Sequence, residues 1–367
     1  MENRITVVDR HSKKLFGVAL DPADDPWSLE LKRAWMMARG KDVGWPSACS
    51  DPYDAVTKSI ADILEEQHIE LAGKFPVPSW LGPKPEASDL PLVTAKNMGS
   101  FFDSGSLLEI VRQLQLFVMS KILPGMPIMI GIDHSATTGV ISALAEKYGP
   151  ENLSVVVLDR HFDAIPVSVR LAETCGTNPD SMTNVPFGFP IIPVAYKNQF
   201  CCGNFWSHLI DAGMVLPENL IFIGVADYPR QEIDSKGNTF RRSYLSFEER
   251  GCSFFPSRQF EGEYVKALTK FIHEKITTPY LYVSCDLDVG AFRCTHAARY
   301  MDGLGIDREN LLDLATIIRD ACQHNSFTLV GFDIMEFNMH FLGVKVPGGA
   351  EDLTIPLVRD FIRILAM

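Results

Sequence analysis

The sequence lacks long apolar runs and an excess of positive charge. No stretch approaches the roughly 18 consecutive apolar residues that a transmembrane helix requires, and the opening MENRITVVDRHSKK has no apolar segment typical of a secretory signal. The 367 residues carry 34 lysines and arginines against 46 aspartates and glutamates, a formal net charge of −12. Because an acidic surface repels phosphate backbones, we expect neither membrane insertion nor nucleic-acid binding.

Cysteine is also scarce. The eight cysteines are scattered and show neither the dense spacing of a disulfide framework nor a paired CxxC zinc pattern. The adjacent Cys201 and Cys202 favour packing over nucleophilic chemistry, since cysteine behaves as a small buried apolar residue. With 46% apolar and 22% charged residues, the composition is that of a globular protein. A reduced, cytoplasmic setting is the simplest interpretation.

The first 95 residues differ in character from the rest. They contain two helical stretches, Leu29–Arg39 and Asp54–Glu66, followed by the proline-rich PVPSWLGPKP at Pro76–Pro85. Proline at this density stops helices and favours an extended, ordered arm. We therefore predict an N-terminal helical and proline-rich extension over residues 1–95, packed on a catalytic domain over residues 96–367.

From Gly99 onward, short apolar segments alternate with amphipathic ones. The apolar segments predict strands at 127–132, Ser154–Asp159, Leu220–Val225, Tyr280–Asp286 and Thr328–Met335. The amphipathic segments predict helices at Leu107–Ile122, Thr138–Lys147, Phe205–Ala212, Glu263–Lys275 and Arg308–Gln323. Continuously apolar strands between helices are typical of a parallel sheet covered on both faces. The predicted fold is a three-layer α/β domain around a central, mainly parallel sheet.

Acidic and histidine side chains follow several of these strands. The strands end in GIDHS, in SVVVLDRHFD and in SCDLD, and the last strand gives GFDIMEFN. Ligands bind at the carboxyl ends of the strands in open α/β sheets, and alternate residues of an extended segment share one face. We therefore expect one cluster that contains His134, Asp159, His161, Asp163, Asp286 and Asp288.

Bound divalent metal ions are the simplest explanation for such a cluster. Four converging carboxylates without cations would repel one another and raise each other's pKa, whereas divalent ions accept carboxylate and imidazole ligands together. Six candidate ligands suit two ions, and a water molecule held between them would deprotonate near neutral pH. Each pattern alone is weak, because an aspartate after a strand often only caps a helix and His134 alone could be a core histidine. Three strand ends together favour a dinuclear site.

GIDHS, DRHFD and SCDLD resemble the three signature blocks of the ureohydrolases, the superfamily of arginase, agmatinase and formimidoylglutamase, over about residues 124–338. The resemblance implies an arginase-like α/β fold, two manganese ions and hydrolysis of a guanidino or amidino C–N bond. It assigns His134 and Asp163 to one ion and His161 and Asp288 to the other. Asp159 and Asp286 would bridge the two ions. Nickel stays open, since these ligands tolerate both metals and nickel binds more tightly in general.

The resemblance also suggests residues that act on the substrate. Glu336, in DIMEFN, matches a family carboxylate that pairs with the substrate guanidinium, and a planar cation with several N–H donors suits such a partner. Asp163 is the candidate for holding and relaying the proton of the attacking hydroxide. The family's HG dipeptide, whose histidine shuttles protons, aligns with Cys202-Gly203, which leaves the shuttle missing or replaced by His208, His296 or another group.

Other departures bear on the substrate. The arginase block that binds the α-amino acid end of its substrate is absent after Asp163, where the chain reads AIPVSVR. The sequence is therefore closer to the agmatinase or guanidino-acid hydrolase branch than to arginase. The predicted substrate is a small cationic guanidino compound: agmatine, guanidinobutyrate, guanidine or an alkylguanidine.

Two other functional hypotheses remain. The altered loops and the cysteine at the position of the shuttle histidine would also suit a non-catalytic, ureohydrolase-like partner or regulatory subunit of a hetero-oligomeric hydrolase. A zinc deacetylase shares a related sheet and a DxH ligand set, but the second acidic pair and Asp163 fit two metals better. The resemblance further implies a homo-oligomer, a trimer or a hexamer, with a related second subunit as an additional option.

Overall fold

A computed structural model describes residues 12–23, 26–38, 49–165, 199–229, 239–324, 327–346 and 348–367. The strands in this part of the chain are β1 (Lys13–Val18), β2 (Ile69–Lys74), β3 (Met126–Gly131), β4 (Leu153–Leu158), β5 (Leu220–Ile223), β6 (Ser253–Phe255), β7 (Tyr280–Asp286) and β8 (Thr328–Met335). They form one sheet in the order β2-β1-β3-β8-β7-β4-β5-β6, and every neighbouring pair is parallel.

Helices cover this sheet. In the described residues they are α1 (Pro26–Ala38), α2 (Pro52–Ser59), α3 (Ala61–Glu66), α4 (Ala95–Asp103), α5 (Ser106–Phe117), α6 (Thr137–Tyr148), α7 (Phe205–Asp211), α8 (Thr239–Glu249), α9 (Tyr264–Lys275), α10 (Arg308–Gln323) and α11 (Thr354–Leu365). A π-helical turn at Val118–Ile122 extends α5. None of the described helices is long and apolar enough to cross a membrane.

Successive side chains of the central strands enter two different apolar cores. Met129 of β3 packs in the core beneath α4–α8, whereas Ile128 and Ile130 pack in the core beneath α2, α3 and α9–α11. Because side chains of a strand alternate between faces, strands that are buried on both sides must be mainly apolar. This requirement explains why the central strands are mainly apolar, and the buried polar residues Ser154, Ser284 and Asp333 in β4, β7 and β8 are hydrogen-bonded. The predicted three-layer fold is therefore confirmed.

Three of the described strands, β1, β2 and β6, were not predicted from the sequence. β1 and β2 lie before residue 95, and β1 pairs with β2 on one side and with β3 on the other. The segment before residue 95 thus supplies part of the sheet in addition to packing on it, while the domain division at residue 95 stays a prediction. The predicted helix at Asp54–Glu66 is divided at Ile60 into α2 and α3.

The strand order determines where the chemistry collects. β3, β8, β7 and β4 are consecutive neighbours at the centre of the sheet, and all four run in the same direction. Their carboxyl ends therefore meet at one edge. The chain leaves these four ends through the segments that carry the predicted metal ligands and Glu336.

Candidate metal centre

Four side chains form a first group at this edge of the sheet. His134 Nδ1 lies 3.4 Å from Asp159 Oδ2, 3.3 Å from Asp163 Oδ2 and 3.2 Å from Asp286 Oδ2. One ligand atom from each of the four lies within 4.8 Å of the others, and all four residues are buried. One imidazole nitrogen and three carboxylate oxygens therefore face a common point.

A second group shares a member with the first. It consists of Asp159, His161 and Asp288, and His161 Nδ1 lies 2.6 Å from Asp288 Oδ2 and 4.0 Å from Asp159 Oδ1. Asp159 belongs to both groups, as a bridging ligand would, whereas Asp286 belongs to the first group only. The structure thus brings together all six residues that the sequence predicts as ligands, and their assignment to metal ions stays a prediction.

Backbone amides orient the carboxylates of the two groups. Oδ1 of Asp159 accepts a hydrogen bond from His161 N at 2.6 Å, and Oδ1 of Asp286 accepts one from Asp288 N at 2.8 Å. Oδ1 of Asp288 accepts one from Arg160 N at 3.1 Å. Oδ1 of each of these three carboxylates is therefore fixed by the backbone, and Oδ2 faces one histidine: His134 for Asp159 and Asp286, and His161 for Asp288.

Two site residues adopt a backbone conformation that non-glycine residues rarely use. Asp163 has φ of 46° and Glu336 has φ of 65°, both in the left-handed region. Such conformations cost free energy and persist where the surrounding structure holds them, often at functional sites. Both side chains reach His134, since Asp163 Oδ2 lies 3.3 Å from its Nδ1 and Glu336 Oε1 accepts from its backbone N–H.

The buried carboxylates of the cluster are unfavourable in their charged form unless cations are bound nearby. Burial raises the pKa of Asp159 well above its usual value, and the charges of Asp163 and Asp288 raise it further. Burial likewise raises the pKa of Asp286. Burial lowers the pKa of His134, but the attraction of the surrounding carboxylates outweighs this and raises the pKa overall. The cluster therefore holds its negative charge poorly without cations.

Divalent ions fit the side chains that are present. His134 Nδ1 and Asp159 Oδ2 are buried atoms without a hydrogen-bond partner in the described part of the chain, although they face each other across the first group. Oxygen and imidazole ligands together suit first-row divalent metals such as manganese and nickel. Two groups joined by Asp159 suit two ions.

A hydrogen-bonded relay beneath the site orients the His134 ring. His134 Nε2 lies 2.9 Å from Ser284 Oγ, and that hydroxyl donates to Asp333 Oδ1 at 2.8 Å. Tyr282 and Thr137 donate to the other Asp333 oxygen, each at 2.7 Å. Because Ser284 has a single hydroxyl proton, it accepts from His134 Nε2–H, which leaves the Nδ1 lone pair facing the carboxylates.

Asp302 performs the same task for the second histidine. Its Oδ2 lies 3.2 Å from His161 Nε2, and its Oδ1 accepts from Arg160 Nε at 2.7 Å. The hydrogen bond from His161 is the main cause that lowers the pKa of Asp302. A carboxylate on the outer nitrogen is a common partner of a metal-binding histidine. Asp302 was not predicted from the sequence, since no local pattern brings it to His161.

Glu336 lies beside the first group and is ion-paired with Arg299. Its Oε1 accepts from the backbone N–H of His134 at 2.8 Å, and its Oε2 lies 3.5 Å from Arg299 Nε. Burial raises the pKa of Glu336 well above its usual value, while Arg299 acts in the opposite direction. Arg299 was also missed by the sequence analysis, because it lies far from Glu336 along the chain.

The remaining predicted residues have other surroundings. His208 lies on α7 with its ring 5.4 Å from that of Phe200, and neither metal-binding group includes it. His296 Nδ1 lies 3.9 Å from Asp352 Oδ1, and Cys202 is buried. Their part in proton transfer stays a prediction. Residues 166–170 of the segment after Asp163 lie outside the described residues.

The aromatic residues at the start of α7 pack against the site. The rings of Phe205 and Trp206 lie 4.9 Å and 6.0 Å from the His134 ring. Cys285 is buried in the core on the opposite side of the sheet from these rings, as its alternation with Ser284 and Asp286 predicts.

Comparison with known proteins agrees with this geometry. Residues 64–343 match the sequence model of the Arginase family. Proclavaminate amidinohydrolase of Streptomyces clavuligerus is 27% identical over 212 residues, which are 57% of this chain and only 53% of that relative. Its solved structure superposes with a TM-score of 0.56 at 18% identity, over 97% of this chain and 90% of that one. Arginase from Bacillus caldovelox gives 0.54 at 15% identity, over 97% and 98%. At these identities the solved structures show a shared fold. The family match spans more than half of the chain, and the chain therefore belongs to the arginase family.

Proposed function

We propose that this protein is a metal-dependent hydrolase that cleaves a C–N bond of a small guanidino compound and releases urea with an amine or ammonia. The observation that carries the proposal is the pair of buried carboxylate–histidine groups that share Asp159. Membership of the arginase family supports it, and a relative in that family is named as an amidinohydrolase. Agmatine, guanidinobutyrate, guanidine and alkylguanidines are the proposed substrates.

The proposed cofactors are two divalent ions, with manganese expected and nickel as the second choice. His134, Asp163 and Asp286 would hold one ion, His161 and Asp288 the other, with Asp159 between them. When bound, such ions lower the pKa of water and polarise the bond to be cleaved. They also compensate the four buried carboxylates, which explains why so many acids converge in the core.

The protein side chains would then orient the substrate and move its protons. Glu336 is rigidly placed by the His134 amide and offers a carboxylate to a planar guanidinium. Asp163, whose Oδ2 faces the first group, would hold the proton of the attacking water and pass it to the departing amine. His208, on α7 beside Phe200, is the proposed second proton carrier.

A second candidate function rests on Cys202. This buried cysteine stands where the family resemblance expects the shuttle histidine, which suits a partner or regulatory subunit without activity of its own. We also propose a cytoplasmic setting and a homo-oligomer, a trimer or hexamer, with a related second subunit under this alternative.

A release assay for urea and ammonia tests the proposal. The purified chain, loaded separately with manganese and with nickel, is incubated with each proposed substrate while bound metal is measured. We expect turnover with close to two ions per chain. Asp159→Ala and Asp286→Ala variants serve as matched controls and should lose activity. A chain that binds no divalent ion, or variants that keep full activity, would contradict the proposal. Turnover only after addition of a second chain would favour the partner subunit.

A further inference from the structure

Arg299 is a buried cation among three carboxylates next to the candidate metal centre. Its Nε lies 3.5 Å from Glu336 Oε2, and its Nη1 lies 3.6 Å from Asp21 Oδ1 and 3.8 Å from Asp133 Oδ2. Its side chain is only 6% exposed. Lys32, the other cation ion-paired in this cluster within the described residues, lies 3.4 Å from Asp21. Among these two described cations, Arg299 is the one that lies near Glu336 and Asp133.

The backbone and a neighbouring ring hold Arg299 in this place. Arg299 N donates to the carbonyl oxygen of Glu336 at 2.8 Å, so the two residues are joined by main chain as well as by charge. The guanidinium carbon lies 4.8 Å from the centre of the Tyr300 ring, and Nη2 donates to the Tyr300 hydroxyl at 2.7 Å. Tyr300 itself has φ of 52°, a strained backbone that turns the chain at this point.

A cavity of about 320 Å³ is lined by Arg299, although none of the six candidate metal ligands lines it. Trp27, Phe292, Tyr300, Asp302 and Phe341 are among its other lining residues. Two of the lining residues also contact the site: Asp302 is ion-paired with His161, and Arg299 is ion-paired with Glu336. Glu336 itself is 1% exposed and is not among the described residues that line the cavity. A solute that enters the cavity therefore meets the Arg299 guanidinium before it can meet the Glu336 carboxylate.

We propose that Arg299 occupies, from within the chain, the place on Glu336 that a substrate guanidinium would take, and that it thereby determines which substrates the site accepts. This inference rests on the proposed function in one respect, the pairing of Glu336 with a guanidinium. The Arg299 side chain carries the same planar group with the same N–H donors as the proposed substrates. A small cationic guanidine must displace it or bind beside a like charge, so agmatine and guanidine should bind weakly to the wild-type site.

The test is rescue of an arginine-deleted variant by guanidinium ion. In the manganese-loaded Arg299→Ala protein, guanidinium from solution should fill the space between Glu336, Asp21 and Asp133. Millimolar guanidinium chloride should then raise the Tm of the variant by about 1–3 °C over matched sodium chloride and leave the wild-type Tm unchanged. By calorimetry, agmatine should bind the variant at least about tenfold more tightly than the wild type, a difference of about 1.4 kcal/mol.

Two further variants give the controls. Arg299→Lys keeps the charge without the planar group and should not respond to guanidinium. Arg299→Ala combined with Glu336→Gln removes the carboxylate and should lose most of the response. Arg299→Gln, which keeps amide donors and much of the volume, replaces the alanine variant if that variant does not fold. A folded variant that does not respond, an equal response of the wild type, or failure of both variants to fold in the presence of guanidinium would overturn the proposal.

These results are separable from those of the hydrolase assay. Guanidinium rescue is an equilibrium measurement that needs no turnover, so a protein without activity can still show it. Conversely, a wild-type protein that hydrolyses agmatine, together with an Arg299→Ala variant whose affinity for agmatine is unchanged, would overturn the role of Arg299 and leave the proposed function intact.

Discussion

The imidazole of His134 has two chemically different sides in this fold. On one side Nδ1 faces three carboxylate oxygens at 3.2–3.4 Å, and on the other side Nε2 meets the Ser284 hydroxyl at 2.9 Å. The Ser284 hydroxyl donates its hydrogen bond to Asp333 Oδ1, so its oxygen accepts the hydrogen bond from the His134 ring. Such outer partners fix the tautomer of a metal-binding histidine and hold its ring in one orientation.

We predict that Ser284→Ala weakens metal binding without unfolding the protein. Loss of the hydroxyl lets the His134 ring rotate or change tautomer, and removal of an outer partner typically costs about 10–100-fold in metal affinity. Titration calorimetry with manganese measures the effect, and Ser284→Thr, which restores a hydroxyl, should recover most of the affinity. Wild-type affinity of the alanine variant for both ions would contradict this role for the relay.

His340 gives a prediction about pH. Burial lowers its pKa to about 4. The charge of Asp21 opposes this shift, whereas the charges of Lys84 and Lys32 lower the pKa further. The unfolded chain binds a proton on this histidine below pH 6.5 or so, and the folded chain does not until about pH 4. The free energy of unfolding should therefore decrease as the pH is lowered from about 6.5 to about 4. This residue contributes at most about 1.4 kcal/mol per pH unit to the decrease.

Urea unfolding of the metal-free protein at several pH values isolates this contribution. The free energy of unfolding of His340→Gln should depend less steeply on pH between about 6.5 and 4 than that of the wild type. His273→Gln, on the exposed side of α9, serves as the control and should follow the wild type. Parallel curves for the wild type and the His340 variant would show that His340 does not titrate in this way.

At the scale of elements, the loops that leave the central strands pack too closely for side chains at some positions. Gly224 follows β5 with φ of 99°, and a Cβ there would lie 2.6 Å from Val289 Cγ2 and 3.2 Å from the Asp159 carbonyl oxygen. Both contacts lie beside the metal-binding segments. The glycine therefore allows β5 and the turn after β7 to approach each other next to the candidate metal centre.

We predict that Gly224→Ala is strongly destabilising. Its left-handed backbone and the overlap with Val289 both oppose a methyl group, and together they should lower the free energy of unfolding by about 2 kcal/mol or more. Gly213→Ala is a matched control, because Gly213 has φ of 69° and nothing within 4 Å of the added Cβ. It should cost only about 1 kcal/mol. Equal midpoints of urea unfolding for the two variants would contradict the packing argument.

The same scale shows which parts of the structure the sequence could predict. The five strands buried on both faces have mainly apolar sequences. This pattern predicted the strands and the acidic residues at their ends. β1 and β2 escaped prediction because β1 starts with two lysines and the edge strand β2 contains glutamate, glycine and lysine. Asp302 and Arg299 escaped because their partners, His161 and Glu336, are distant in sequence and only the folded chain brings them together.

At the scale of the whole molecule, the acidic composition and the candidate metal centre are parts of one charge distribution. Asp159, Asp163, Asp286 and Asp288 contribute to the formal net charge of −12 but are buried, so they do not belong to the acidic surface. Two divalent ions would offset their charge within the core. The folded state should then depend on the metal, because the metal-free cluster keeps several carboxylates close together in a poorly solvated place.

We predict that removal of the metal lowers the thermal stability of the whole chain. A ligand that binds only the folded state at 100 times its Kd stabilises that state by about 2.7 kcal/mol, so Tm after treatment with EDTA should fall by several degrees, about 3 °C or more. Added manganese or nickel should restore it, with a Tm that rises with metal concentration. In the Asp159→Asn control the joining carboxylate is lost from both groups, so metal should change its Tm little. If wild-type Tm is the same with EDTA and with excess metal, the buried acids are stable without ions and the metal centre must be rejected.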